Sequence, residues 1–202
     1  MIRWLSFLLL IFLSVAIAEA QGRDKATIKR IDAYCKTVDA FLKQNARPQL
    51  VVADISDNGE GKPKWKSFAS KQMLENFRRT TDIYSSAFNW RKNKHIIFSA
   101  ITLSSPSGDW VKYLKLYYRD DGTLAKGKSE LRTFYGDLVA RQSFYFDKKG
   151  RMLKKTMGFS DLDSGKPIKV AKSDLGEIAP LLTETNNYKS ISSLPFAHLL
   201  ER

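Results

Sequence analysis

The sequence predicts an α+β protein in which an antiparallel meander sheet of about six strands packs against an N-terminal amphipathic helix. From Asp82 onward, short apolar and aromatic runs alternate with turn residues every ten to fourteen positions, which is typical of strands joined in sequence. The links between these runs are too short for parallel crossovers, which need about a dozen residues or more. Between residues 25 and 44, apolar residues instead recur every three or four positions, the period of a helix with one buried face.

The predicted helix, residues 25–44, carries one apolar stripe and a charged opposite face. Asp24 can cap its start, and Pro48 indicates that it has ended. Cys35 is the only cysteine, so an intramolecular disulfide is impossible, and its place in the stripe predicts a buried thiol. The stripe consists of Ile28, Ile31, Cys35, Val38 and Leu42.

The predicted meander consists of six runs with turn residues between them. Ahead of these runs, Leu50 to Ile55 is a further strand candidate, Trp65 begins a return segment, and residues 70–78 have helical character. Residues 168–171 are a candidate for a last short strand, and the C-terminal segment is expected to cover part of the core. The six runs are residues 82–90, 95–104, 110–119, 124–135, 138–147 and 151–160.

An internal repeat supports the hairpin pattern. Residues 117–126 align with residues 145–154, and each copy has an aromatic pair, a polar tripeptide, a glycine and an apolar residue. The glycine can adopt positive φ, so that two strands reverse tightly. The units resemble the aromatic-x-x-x-Gly-x-Leu hairpins of YD-type and MORN-like repeats in bacterial envelope proteins. This resemblance implies a turn and carries no catalytic residues.

Residues 1–20 have the pattern of a secretory signal peptide. Arg3 precedes an almost wholly apolar run, and Ala18 and Ala20 provide small residues at the −3 and −1 positions of a cleavage site. The apolar run is shorter than the ~20 residues of a membrane span. We therefore expect residues 21–202 to form a single domain that is periplasmic or secreted.

The charge composition favours anionic partners, and it is equally explained as a feature that keeps the protein soluble. The 34 Lys and Arg residues exceed the 21 Asp and Glu residues, giving a formal net charge of +13. With two histidines in the chain and no Cys-x-x-Cys, H-E-x-x-H or phosphate-loop motif, the sequence favours a non-enzymatic protein without a cofactor or metal. A further alternative is a hydrolase in which His95 or two carboxylates converge in a cleft. A possible calcium loop beginning at Asp54 has Trp65 at position twelve, where a glutamate is required.

The candidate binding site is a basic hairpin formed by Lys148, Lys149, Arg151 and Lys154. We expect it to bind an anionic cell-envelope component or a partner protein. Nucleic acid is not an expected ligand, because the chain is expected to be exported. Lysines at sheet edges also discourage edge-to-edge pairing, which explains the same residues without a ligand. The alternative function is a periplasmic carrier of an apolar or acylated ligand in a curved half-barrel sheet, similar to half-barrel lipoprotein chaperones. Such a carrier needs an apolar cavity of about 300 Å³ or more.

Overall fold

The computed structural model describes residues 2–56, 62–171, 175–176, 178–183 and 188–200, with side chains from residue 22 onward. Nine strands form one sheet in which every pair of neighbours is antiparallel, in the order β2-β1-β3-β4-β5-β6-β7-β8-β9. In chain order the elements are α1 (Ile2–Gln44), β1 (Leu50–Asp54), β2 (Trp65–Phe68), α2 (Lys71–Phe77), β3 (Ser85–Lys92), β4 (His95–Ser104), β5 (Trp110–Tyr118), β6 (Leu124–Thr133), β7 (Leu138–Phe146), β8 (Met152–Asp161), β9 (Pro167–Ile168) and α3 (Ile178–Thr183), followed by two short 3₁₀ turns, Ile191–Ser193 and Ala197–Leu199.

The α+β class and the antiparallel meander are confirmed, but the count of about six strands is wrong. The six predicted runs correspond to β3 through β8, with ends that differ by at most three residues. The other three strands are short, and β2 and β9 contain only four and two residues. All three overlap the further candidates at residues 50–55, from Trp65 and at 168–171, which the count left out because runs of that length show no clear period-two pattern.

Helix α1 packs on one side of the sheet, which we call the helix face. The predicted stripe is confirmed at its centre, where Ile31, Cys35 and Val38 are buried against sheet aromatics that include Phe98 and Tyr117. The helix is longer than the predicted residues 25–44 and begins at Ile2. No proline interrupts residues 2–44, so nothing in the local sequence breaks the helix between the apolar run and the stripe.

Three aspartates of α1 hold the helix to the sheet, and we call this set of contacts the helix clasp. The residues are Asp24, Asp32 and Asp39, spaced by eight and seven positions, which places them on one face of the helix. Asp24 forms an ion pair with Arg151 at 2.7 Å. Asp32 forms an ion pair with Lys126 at 2.6 Å and accepts a hydrogen bond from the Tyr145 hydroxyl at 3.0 Å. Asp39 accepts a hydrogen bond from the Tyr117 hydroxyl at 2.9 Å.

The opposite side of the sheet is covered by the C-terminal segment. Phe196 and Leu194 are buried there against Leu116 and Phe144, in the largest apolar cluster of the described residues. Helix α3 extends this cover over the ends of β6 and β7. Helix α2 lies on the helix face over β1, where Leu74 is fully buried. Both apolar surfaces of the sheet are therefore filled by the chain's own segments.

Candidate functional site: a basic groove on the helix face

The predicted basic hairpin is the turn between β7 and β8. The carboxylate of Asp147 accepts hydrogen bonds from the backbone N–H groups of Lys149 and Arg151, both at 2.9 Å. Gly150 has a φ of +77°, and Gly122 has the same value at the matching position of the first repeat. The repeated tight hairpin is thus confirmed, because both glycines adopt the left-handed conformation that other residues resist.

The four predicted site residues lie in three different environments. Lys148 and Lys149 are exposed at the tip of the turn. Arg151 instead bridges two carboxylates, Asp24 at 2.7 Å and Asp147 at 3.0 Å, and its hydrogen bond lowers the pKa of Asp24. Lys154 lies further along β8, exposed beside the Tyr145 ring. Arg151 therefore serves mainly to fix the hairpin to α1.

A cleft of about 710 Å³ separates α1 from the hairpin turns, and Lys148 is on its rim. Its charged lining is balanced: three cations (Arg30, Arg119 and Lys148) face three carboxylates (Asp120, Asp121 and Asp147). Arg119 is moreover engaged with the carbonyl oxygens of Leu124 and Phe146. This cleft offers little net attraction to an anion.

A second groove, of about 680 Å³, lies on the helix face beyond the part that α1 covers. We call it the basic groove. Exposed and buried residues alternate along β5, β6 and β7, so that every second side chain points into it. Four cations and one carboxylate line it. The lining residues are Tyr113, Lys115, Lys128, Ser129, Glu130, Arg132, Arg141, Gln142 and Ser143.

Two lysines of the groove are direct neighbours across strands. Lys115 of β5 pairs with Lys128 of β6, and both side chains are exposed. Like charges in directly opposite positions destabilise a sheet, because their Cβ atoms are only about 5 Å apart. Within the described part of the chain, no carboxylate forms an ion pair with either lysine. A bound anion between them would remove this repulsion.

Glu130 organises the two arginines of the groove. Its carboxylate accepts hydrogen bonds from Arg132 Nε and Arg141 Nε, both at 2.8 Å. Partial burial acts to raise the pKa of Glu130, but the two arginine hydrogen bonds outweigh it and the net pKa is lowered. Glu130 is therefore ionised at neutral pH and cannot donate a proton. Both arginine side chains stay about half exposed, so they can also contact a ligand.

The basic groove was not predicted, although β6 carries a signal that could have indicated part of it. Lys126, Lys128, Glu130 and Arg132 recur at every second position, which is the period of one strand face. The prediction instead favoured the hairpin, where basic residues are adjacent in the sequence. The pairing of Lys115 with Lys128 depends on strand register, which no local pattern gives.

The other candidate functional residues of the sequence lie outside the basic groove. His95 begins β4, and His198 lies in the last 3₁₀ turn. Asp54 accepts backbone N–H bonds from Ser56 and Lys64 at 3.0 and 2.8 Å, so it stabilises its own turn. The other calcium-loop positions considered, 57–59, lie outside the described residues. Among the residues that the structure does describe, no three His, Cys, Asp or Glu side chains come close enough to hold a metal ion.

In the described part of the chain, no helix is long and apolar enough to cross a membrane. Comparison with protein-family models, with curated proteins and with solved structures finds no match to this chain. Any function must therefore be argued from the geometry above.

Proposed function

We propose that this chain is exported through its signal peptide, residues 1–20, and acts as a non-enzymatic binding protein for an anionic component of the cell envelope. The mature chain, residues 21–202, would work in the periplasm or outside the cell. The ligand would bind in the basic groove, with the exposed lysines of the hairpin turn as a secondary contact.

The observation that carries this proposal is the Lys115–Lys128 pair. Like charges at directly opposite positions of a sheet are unfavourable in the free protein, and an anionic group that contacts both lysines is the simplest source of compensation. Arg132 and Arg141 lie on the same face of the sheet as the lysine pair. They are two to four residues away from the pair along the strands, which corresponds to about 7–13 Å along the strand direction. A ligand with several anionic groups would therefore be preferred to a single small anion.

The lining of the groove supports binding without catalysis. Its one carboxylate, Glu130, is kept ionised by two arginines, so it lacks the raised pKa of a general acid. The alternative of an apolar-ligand carrier gains no support from the described residues, because all the residues that line the groove except Tyr113 are polar or charged and the apolar faces of the sheet are filled.

The test is a binding measurement on two variants with the same loss of charge. Lys115→Gln with Lys128→Gln removes two cations from the groove, and Lys148→Gln with Lys149→Gln removes two from the hairpin. The probes are vesicles rich in phosphatidylglycerol and a soluble acidic polysaccharide, polygalacturonate. We expect the groove variant to weaken binding about tenfold or more and the hairpin variant to weaken it much less.

The two probes separate the two sources of anionic groups. Preference for vesicles would assign a lipid headgroup, and preference for polygalacturonate would assign a glycan. Equal losses in both variants would show that attraction follows net charge and has no site, which contradicts the proposal. Failure of the wild-type chain to bind either probe at low salt would also contradict it.

A further inference from the structure

Strand β8 has an outer edge that the rest of the described chain leaves open. β8 runs from Met152 to Asp161 and pairs with β7 along its whole length. On its other side, β9 pairs only with Phe159 and Ser160. Residues 154–158 are all exposed, although successive side chains point to opposite faces of the sheet. We call residues 152–158 the β8 edge.

The backbone groups that point outward from this edge can be identified. The N–H of Asp161 donates to Lys166 O at 2.9 Å on the β9 side, and the N–H of Leu162 donates to Asp137 O at 2.8 Å on the β7 side. Backbone groups of successive residues in an antiparallel strand point to alternate sides. Lys155 and Met157 therefore direct their N–H and C=O groups away from β7, where the described chain offers no partner strand.

An open edge is a template for a further strand, and its side chains decide which strand. Lys154 is exposed on the helix face and Lys155 is exposed on the other face, so both sides of an incoming strand would meet a positive charge. Pairing with a second copy of this chain is disfavoured. If the β8 edges of two copies paired antiparallel about a two-fold axis, without overlapping β9, the axis would pass the middle residue, Lys155. The Lys155 side chains of the two copies would then be directly opposite each other, which is unfavourable.

We propose that the β8 edge accepts an extended, acidic segment of another protein as an additional strand of the sheet. The segment would exchange backbone hydrogen bonds with Lys155 and Met157, and its carboxylates would lie opposite Lys154 and Lys155. This inference is independent of the basic groove, because it depends on backbone pairing and on other lysines.

The test uses the full mature chain and a capped nine-residue peptide, Thr-Val-Glu-Glu-Val-Glu-Glu-Val-Thr, whose adjacent glutamates point to both faces of a strand, with a matched peptide in which lysine replaces every glutamate. Met157→Pro removes one outward N–H and leaves the bonds to β7 in place, since that N–H does not face β7. Met157→Ala is the control, because it removes the same side chain and keeps the N–H. We expect the acidic peptide to bind wild type and Met157→Ala with similar affinity and Met157→Pro about tenfold more weakly.

A second measurement keeps the test decisive if Met157→Pro does not fold. N-methylation of alternate peptide residues blocks pairing without changing charge, and we expect at least one of the two methylation registers to abolish binding. Lys155→Glu should reverse the preference from the acidic to the lysine peptide.

Three outcomes would overturn the inference. One is equal binding by Met157→Pro and Met157→Ala. Another is equal binding of the unmethylated peptide and both methylated peptides. The third is a loss of acidic-peptide binding in the groove variant, Lys115→Gln with Lys128→Gln, as large as that caused by Lys155→Glu, since both variants lose two units of positive charge and an equal loss would assign the peptide to the groove.

Discussion

Replacement of Asp32 by asparagine should loosen α1 from the sheet, because it removes the charge partner of a nearly buried lysine. Lys126 is 8% exposed, and its Nζ lies 2.6 Å from Asp32 Oδ1. The Tyr145 hydroxyl donates to the same oxygen at 3.0 Å. Asparagine can still accept a hydrogen bond through its carbonyl oxygen, but it cannot balance the ammonium charge.

The expected loss in the free energy of unfolding lies between the values for buried and for exposed ion pairs. Removing one partner of a buried pair costs about 3–5 kcal/mol, whereas an exposed pair contributes about 0–1 kcal/mol. The Lys126 side chain is 10% exposed but that of Asp32 is 42% exposed, so water screens part of the interaction. We expect Asp32→Asn to lower the free energy of unfolding by about 1.5 kcal/mol and Tm by about 3–6 °C.

The assay is urea unfolding followed by tryptophan fluorescence, with Asp39→Asn as the matched control. Asp39 lies two turns further along the same helix face and accepts a hydrogen bond from the Tyr117 hydroxyl at 2.9 Å. The described residues give it no ion pair, so the control should lose less than about 0.5 kcal/mol. Equal losses in the two variants would refute the reasoning that charge compensation at Lys126 holds the helix.

The pH dependence gives a second check on the same pair. Burial acts to raise the pKa of Asp32, but hydrogen bonds from Lys126 and Tyr145 outweigh it, so the net pKa is lowered. Burial likewise acts to lower the pKa of Lys126, but the bond to Asp32 leaves it raised. The difference in the free energy of unfolding between wild type and Asp32→Asn should therefore have its largest value between about pH 5 and 10. It should shrink as pH falls below about 4, through the folded-state pKa of Asp32, and a constant difference down to pH 2 would contradict this account.

Further changes test the core and the hairpin. The Cys35 thiol, whose pKa is raised by burial to about 12, should not react with Ellman's reagent at pH 8 in the native protein and should react fully in urea. Gly127→Ala should change the stability by less than about 0.5 kcal/mol, because the nearest side-chain atom lies 3.5 Å from the added Cβ. Gly122→Ala should cost about 1 kcal/mol in the same urea titration, because φ is +77° there. Arg151→Gln should lower Tm more than Lys149→Gln in a thermal scan, since only Arg151 bridges to α1.

The meander was predictable because its signals are local. Each of β3 to β8 has its own apolar runs and turn residues, so the bounds could be predicted to within three residues. The short strands β2 and β9 lack enough positions to show a period. The groove and the clasp depend instead on contacts across the sheet. Asp24 and Arg151 are 127 residues apart in the sequence, so their ion pair leaves no local pattern.

That separation has a consequence for the order of folding as the chain is synthesised from its amino end. The aspartates of α1 are synthesised early, whereas their partners follow 78 to 127 residues later in the chain. The hairpins can close soon after synthesis because their contacts are local. The helix clasp is complete only once Arg151 is available, and until α1 docks, its apolar stripe is in water and prone to associate with other chains. A chaperone that shields the amino-terminal third of the chain would thus speed recovery of native protein more than one that shields the hairpins.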